Sequence, residues 1–193
     1  MTADPRARRL PALLRSDLVR FFAVMLGVYA AWFVVYDLWL HPAGNLDAAL
    51  SRWVADATAG GLRLVGYDVI VQDRVLGLTG QPGVYVEDGC TGLTTLGLFA
   101  GFVLAYPGRP RRRAWFIPLG AAIITLANVA RIALLVVLQR DWPGGFDAVH
   151  HFGANTFFYL VVFVLWVVWA NTGGGTRPAG APVDAAMLQS TST

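Results

Sequence analysis

The chain is a succession of apolar runs separated by short polar breaks. Four runs stand out, at about residues 18–40, 90–106, 114–138 and 151–170. A helix that crosses a bilayer needs roughly 20 apolar residues, so each run reads as a span, the second a short one. Residues 41–89 are less apolar and divide in two. Over residues 46–65 the apolar positions Leu46, Ala49, Leu50, Trp53, Val54 and Ala57 recur at helical spacing, with Asp47, Arg52 and Asp56 on the other side. That pattern predicts an amphipathic helix lying at the membrane surface or on the bundle, which Gly60-Gly61 should end or bend. Residues 67–86 are rich in Val, Ile, Leu and Tyr, with breaks at Gln72-Asp73 and Gly80-Gln81-Pro82-Gly83. They predict a hairpin-like extended segment. Gly97 and Gly101 form a GxxxG pair suited to close helix packing. Pro118 falls in the first turns of the third run, where proline is tolerated.

The expected fold is therefore an all-α integral membrane protein of about four transmembrane helices. An outward-facing amphipathic helix and a hairpin-like segment lie between the first two. Composition agrees, since a chain 56% hydrophobic and 14% charged is too apolar for an ordinary soluble domain. Residues 18–171 form the membrane domain, with 41–89 as its outer segment. Residues 1–17 are an Arg-rich tail, and 172–193 are a Gly/Pro/Ala/Ser/Thr tail without periodicity, expected to be disordered.

Charge orients the spans. Every basic residue is Arg, and most fall in two clusters: Arg6, Arg8, Arg9, Arg15 and Arg20, then Arg109, Arg111, Arg112 and Arg113. Basic tails also bind nucleic acid, but both clusters flank apolar runs, so the expected partner is a lipid bilayer and not nucleic acid. The bias of Arg puts both termini in the cytoplasm of a multi-pass cell-membrane protein, with residues 41–89 and 139–149 outside. A basic stretch before an apolar run also suits a cleaved signal peptide. The first run is too long for one and lacks a clear cleavage site, which favours an uncleaved signal-anchor. Asp37, near its far end, is expected at the interface or facing other helices.

This topology gathers the candidate chemistry at one level. Cys90 is the sole cysteine, so it cannot close an intramolecular disulfide and is inert, metal-bound or reactive. No Cys/His cluster has zinc spacing and no phosphate loop is present, so neither metal nor cofactor is expected. Cys90 opens a span that descends from the outer face, and His150 and His151 open another. Arg131 lies seven residues before the outer end of the third run, roughly 10 Å below it at 1.5 Å per residue. The three can converge if the helices pack together.

Each feature also has a bland reading. Arg131 could snorkel to the headgroups, though an Arg within a span costs about 2.5–3.5 kcal/mol and calls for a partner or a watery cavity. Asn128, one turn earlier, extends a polar stripe into the bundle. Cys90 could be a small buried apolar residue. At a helix start, however, the macrodipole would favour its thiolate. Its neighbour Asp88 opposes that charge unless it caps the helix. The histidines could be merely interfacial, as His41 is expected to be, and adjacent residues point about 100° apart on a helix, so one would face the site. His151 shares a face with Asn155 and Phe158, His150 with Ala154 and Phe157.

At these features the chain resembles the exosortase/archaeosortase family of membrane transpeptidase-like proteases, as a small, minimal-core member. The resemblance covers residues 87–170. It consists of Cys90-Thr91-Gly92-Leu93 at a span start, Asn128 to Arg131 within a later span, and His150 or His151 at the start of the last. It implies that Cys90 is the nucleophile, with Arg131 and one of the two histidines completing the site, and with Asn128, Thr91 and Gly92 in support. The implied substrates are exported proteins with a C-terminal tail of short motif, transmembrane helix and basic cluster, cut near the motif at the outer face through an acyl-thioester. The rival expectation is a non-catalytic scaffold or assembly subunit that holds a partner transmembrane helix. A channel ranks last, because four spans with one Arg and few acids make a poor conduction path.

Overall fold

The computed structural model describes residues 17–145 and 153–172. The first apolar run forms helix α1 (Asp17–Trp32), which continues into a π-helical segment, Phe33–Leu40, and a helical turn, His41–Ala43. Gly44 ends this rod in the left-handed region at φ 68°, its N–H donating to the His41 carbonyl at 3.0 Å. Helix α2 (Asn45–Leu64) follows, then strands β1 (Val69–Gln72), β2 (Val75–Leu78) and β3 (Val84–Tyr85). Helices α3 (Leu93–Ala105), α4 (Pro110–Asp141) and α5 (Ala154–Thr172) complete the described chain.

Among the described residues three helices are long and apolar enough to cross a membrane: Leu18–Ala43, Pro110–Asp141 and Ala154–Thr172, of 26, 32 and 19 residues. With the shorter apolar α3 they make an all-α integral membrane protein carrying one small antiparallel sheet. Helix α3 has only 13 residues, fewer than the run 90–106 suggests. Left-handed Gly92 (φ 76°) detaches the chain before it. Helix α4 starts at Pro110 rather than at 114, because proline is pre-organised for a first helical turn and lacks the N–H left unbonded there. Pro118 consequently lies further into the helix than the sequence pattern suggests.

Glycines set the closest helix contacts. A Cβ at Gly97 would fall 2.5 Å from the Trp32 ring, and one at Gly101 3.0 Å from Val28, so the GxxxG face of α3 packs on α1. A buried cluster including Phe99, Phe116, Ile124, Phe158 and Trp169 joins α3, α4 and α5. A second, including Val54, Ala55, Leu76, Val86, Ile132 and Val136, joins α2, the sheet and the later turns of α4.

Two local expectations change. Helix α2 buries Asp47, Ser51, Val54, Ala55, Thr58, Ala59 and Leu62, while Trp53 is 53% exposed. The helix is thus rotated from the face its apolar residues suggest. Small residues let it approach its neighbours closely, and the Tyr36 hydroxyl donates to buried Asp47 Oδ1 at 2.7 Å. Gly60-Gly61 neither end nor interrupt it, since the helix runs on to Leu64. The hairpin forms as expected, with β1 and β2 paired from Val69↔Leu78 to Gln72↔Val75 around a two-residue turn. Asp73 in that turn has φ 55°, the one positive value at a non-glycine among the described residues.

Gly97→Leu should lower stability by about 1–3 kcal/mol, the usual range for overpacking. Gly60, whose Cβ would meet nothing within 4 Å, should by contrast gain up to about 1 kcal/mol as Ala. Thermal unfolding of the two variants in detergent micelles checks both signs.

Candidate active site

The site is built on the turn before α3. After extended Glu87, residues Asp88–Thr91 make one 3₁₀ turn, in which the Cys90 N–H donates to the Glu87 carbonyl at 2.9 Å. Thr91 ties the turn to the helix. Its Oγ1 donates to the Asp88 carbonyl at 3.0 Å and accepts from the Leu93 N–H at 3.3 Å. Left-handed Gly92 then separates this turn from α3. Cys90 is therefore not on the first turn of the helix, and the α3 macrodipole is not what faces its thiol.

A guanidinium faces it instead. Arg131 Nη2 donates to Cys90 Sγ at 3.6 Å, and its Cζ lies 5.5 Å from the Phe158 ring centroid. The residue is 9% exposed, so the snorkelling alternative does not apply. One turn earlier on α4, buried Asn128 donates from Nδ2 to the Cys90 carbonyl at 2.7 Å. A cation thus addresses the sulfur while an amide clamps the backbone of the same residue. Gly92 makes the turn possible through its backbone, since φ 76° is a conformation that side chains rarely adopt, while a Cβ there would make only ordinary contact with Asn128 and Phe158.

The acidic neighbour of the thiol is also accounted for. Asp88 Oδ1 accepts from Arg74 Nη1 at 2.6 Å, so a guanidinium from the hairpin, rather than backbone N–H groups, compensates its charge. Burial pulls the Arg74 pKa down, and the Asp88 carboxylate, with Tyr85, outweighs it and holds Arg74 above its ordinary value. This ion pair locks the cysteine turn to the sheet.

Beside the thiol opens a cleft of about 460 Å³. Its walls are residues 83–85 of the sheet, Glu87 and Gly89 of the turn, Arg131 and Gln139 of α4, and Asn155 and Tyr159 of α5. Asn128 Oδ1, Arg131 Nε and Gln139 Oε1 are buried without a hydrogen-bond partner among the described residues. Cys90, Arg131, Asn128, Thr91 and Gly92 come together around the cysteine turn, and of these Cys90 and Arg131 line the cleft. His150 and His151 lie outside the described residues. Among the described residues no three of His, Cys, Asp and Glu are grouped to hold a metal.

Sequence reasoning does not find Arg74, Gln139 or Tyr85, which reach the site by strand pairing or from the far end of a long helix. Phe158 and Asn155 carry a faint signal, a shared helical face with His151. The arrangement sets a buried guanidinium donor against a sulfur acceptor, a contact that strengthens when the acceptor carries charge. With an open cleft alongside, the sulfur can attack an electrophile.

The family model described as transmembrane exosortase (Exosortase_EpsH) matches residues 12–168. No curated protein and no solved structure matches the chain.

Arg131→Gln removes the cation that faces Cys90 Sγ. Alkylation of Cys90 by iodoacetamide at pH 7 in micelles should slow about tenfold, with Arg131→Lys in between. Equal rates in all three proteins would separate the guanidinium from thiol reactivity.

Proposed function

Because the chain belongs to the transmembrane exosortase family, we propose that it is a cysteine peptidase or transpeptidase of the cell membrane, acting on C-terminal sorting signals of exported proteins. Both termini face the cytoplasm, and the cleft beside Cys90 opens outward. The observation that carries this reading is the Arg131 Nη2 to Cys90 Sγ contact between two residues that line that cleft.

The Cys90 thiolate attacks the carbonyl carbon of the scissile peptide bond, and the carbonyl electrons move to oxygen. Collapse of the tetrahedral adduct breaks the C–N bond, leaving the upstream segment as an acyl-thioester on Cys90. His150 or His151 takes the thiol proton and returns it to the leaving amine. Water or an amine then attacks the thioester and regenerates the thiol. Arg131 stabilises first the thiolate and then the oxyanion. It is not the proton donor, because a guanidinium is not deprotonated in proteins. Asn128, Thr91 and Gly92 are positioning residues that hold the Cys90 backbone at the mouth of the cleft.

A scaffold that used Arg131 to grip a partner helix is less well supported, since that side chain is spent on its own chain's Cys90 and Phe158.

Co-expression with an exported protein ending in a transmembrane helix and an Arg cluster tests the proposal by the size shift on cleavage. Cys90→Ala should abolish the shift without lowering expression, and Arg131→Gln should slow it about 10²–10³-fold, as loss of an oxyanion donor does. Ala substitution at His150 and at His151 should separate the acting histidine from its neighbour. Normal cleavage by the Cys90→Ala protein would overturn the reading.

A further inference from the structure

One wall of the cleft comes from the sheet. Strand β3 is one edge of the sheet, whose order is β1-β2-β3, and among the described residues no strand lies beyond it. Its register with β2 is Val75↔Tyr85 and Leu76↔Val84, and one step further the Val86 N–H donates to the Arg74 carbonyl at 2.9 Å. Opposite residues in an antiparallel ladder alternate between pairs that exchange hydrogen bonds and pairs that do not. The Arg74/Val86 and Leu76/Val84 pairs are therefore the bonded ones. Tyr85 turns its N–H and C=O away from β2, to the free edge.

That edge lies in the cleft. Gly83, Val84, Tyr85 and Glu87 line it together with Cys90. The chain runs from Tyr85 to the nucleophile in five residues. Gly83 holds the start of the strand tightly on β2, where a Cβ would fall 2.5 Å from Val75 Cγ1. An unpaired edge is a template for another strand, which a protein normally covers or blunts.

Building on the peptidase reading above, we propose that β3 is the substrate-docking strand: the peptide to be cleaved adds to the sheet at Tyr85 as an extended strand, and this pairing lays its scissile carbonyl against Cys90. Recognition then rests on main-chain hydrogen bonds at every second residue, with selectivity left to the alternate side chains that enter the cleft. The occupant is a segment of an exported protein chain with free N–H groups in β conformation.

The test uses the purified full chain in micelles and two thiol reagents, acetyl-tetra-alanyl chloromethyl ketone and chloroacetone. With each, the Cys90 thiolate displaces chloride and forms a thioether. Rates are corrected for reaction of the same reagents with glutathione. The peptide reagent should label Cys90 about tenfold faster than chloroacetone, the gain expected from one or two hydrogen bonds. N-methylation of single amides in the peptide should remove the gain at alternate positions only. Tyr85→Pro, which deletes the edge N–H, should bring the ratio of the two rates to about one, and Tyr85→Phe should keep it. A methylation effect without alternation, or a ratio indifferent to Tyr85→Pro, overturns strand docking while leaving the nucleophile intact. If Tyr85→Pro does not fold, the methylation series on the wild-type protein decides alone. Failure of chloroacetone to label Cys90 at all would instead sink the peptidase reading. A dimer in micelles that Tyr85→Pro dissolves would assign the edge to a second copy of this chain and overturn the proposal.

Discussion

A guanidinium buried among apolar helices is the constraint on which the rest depends. Placing Arg131 within a span costs about 2.5–3.5 kcal/mol before any partner is found. It is 9% exposed, so its compensation comes from protein rather than from headgroups. The sulfur of Cys90 and the ring of Phe158 supply it from two other segments of the chain. Each partner makes sense of further residues. The sulfur can approach because left-handed Gly92 lets the turn form and Asn128 holds the Cys90 carbonyl. The ring can approach only because α5 packs along α4 over a shared apolar cluster.

The outer architecture serves the same turn. The hairpin brings Arg74 to Asp88 and so offsets the carboxylate charge two residues from the sulfur. Helix α2 and the sheet bury Val54, Ala55, Leu76 and Val86 against Ile132 and Val136 of α4, with Cys90 packed at the margin of that cluster. The cysteine turn is thus braced from both sides, by a buried polar contact at the bundle and by an ion pair at the sheet. An arrangement held at two points keeps the sulfur in register with its cation, the kind of pre-organisation that the proposed chemistry needs.

Much of this was legible in the chain because the signals were local or energetic. Long apolar runs announced α1, α4 and α5, and the breaks at Gln72-Asp73 and Gly80-Gln81-Pro82-Gly83 announced the hairpin. The high cost of an intramembrane Arg announced that Arg131 must have a partner. Other features carried no such mark. Helix α2 turned its Asp47 inward because the hydroxyl of Tyr36, eleven residues earlier, meets it there, and a hydropathy pattern registers apolarity but not buried hydrogen bonds. Gly60-Gly61 look like a helix stop, yet tertiary packing of the α2 face on the sheet outweighs the propensity of two glycines. The Arg74–Asp88 pair depends on strand register, which no short window of sequence contains. The 3₁₀ turn around Cys90 was hidden for a different reason: an apolar run starting at that residue reads as helix, and only the left-handed Gly92 shows that the turn and the helix are separate.

The brevity of α3 has a consequence for where water can act. Thirteen residues measure about 20 Å along the axis, against a hydrocarbon layer of about 30 Å. With its Pro107-Gly108 end at one interface, the other end stops roughly 10 Å short of the opposite one. The helix is then a depth gauge that sets the thiol in a recess rather than on a surface. At such a depth the cleft gives solvent a way to the sulfur. A chain already threaded in the bilayer arrives there with no need to leave it, whereas a soluble protein of the same sequence would have to be drawn in. Under the proposed function, the length of one short helix thereby favours membrane-held chains over soluble ones.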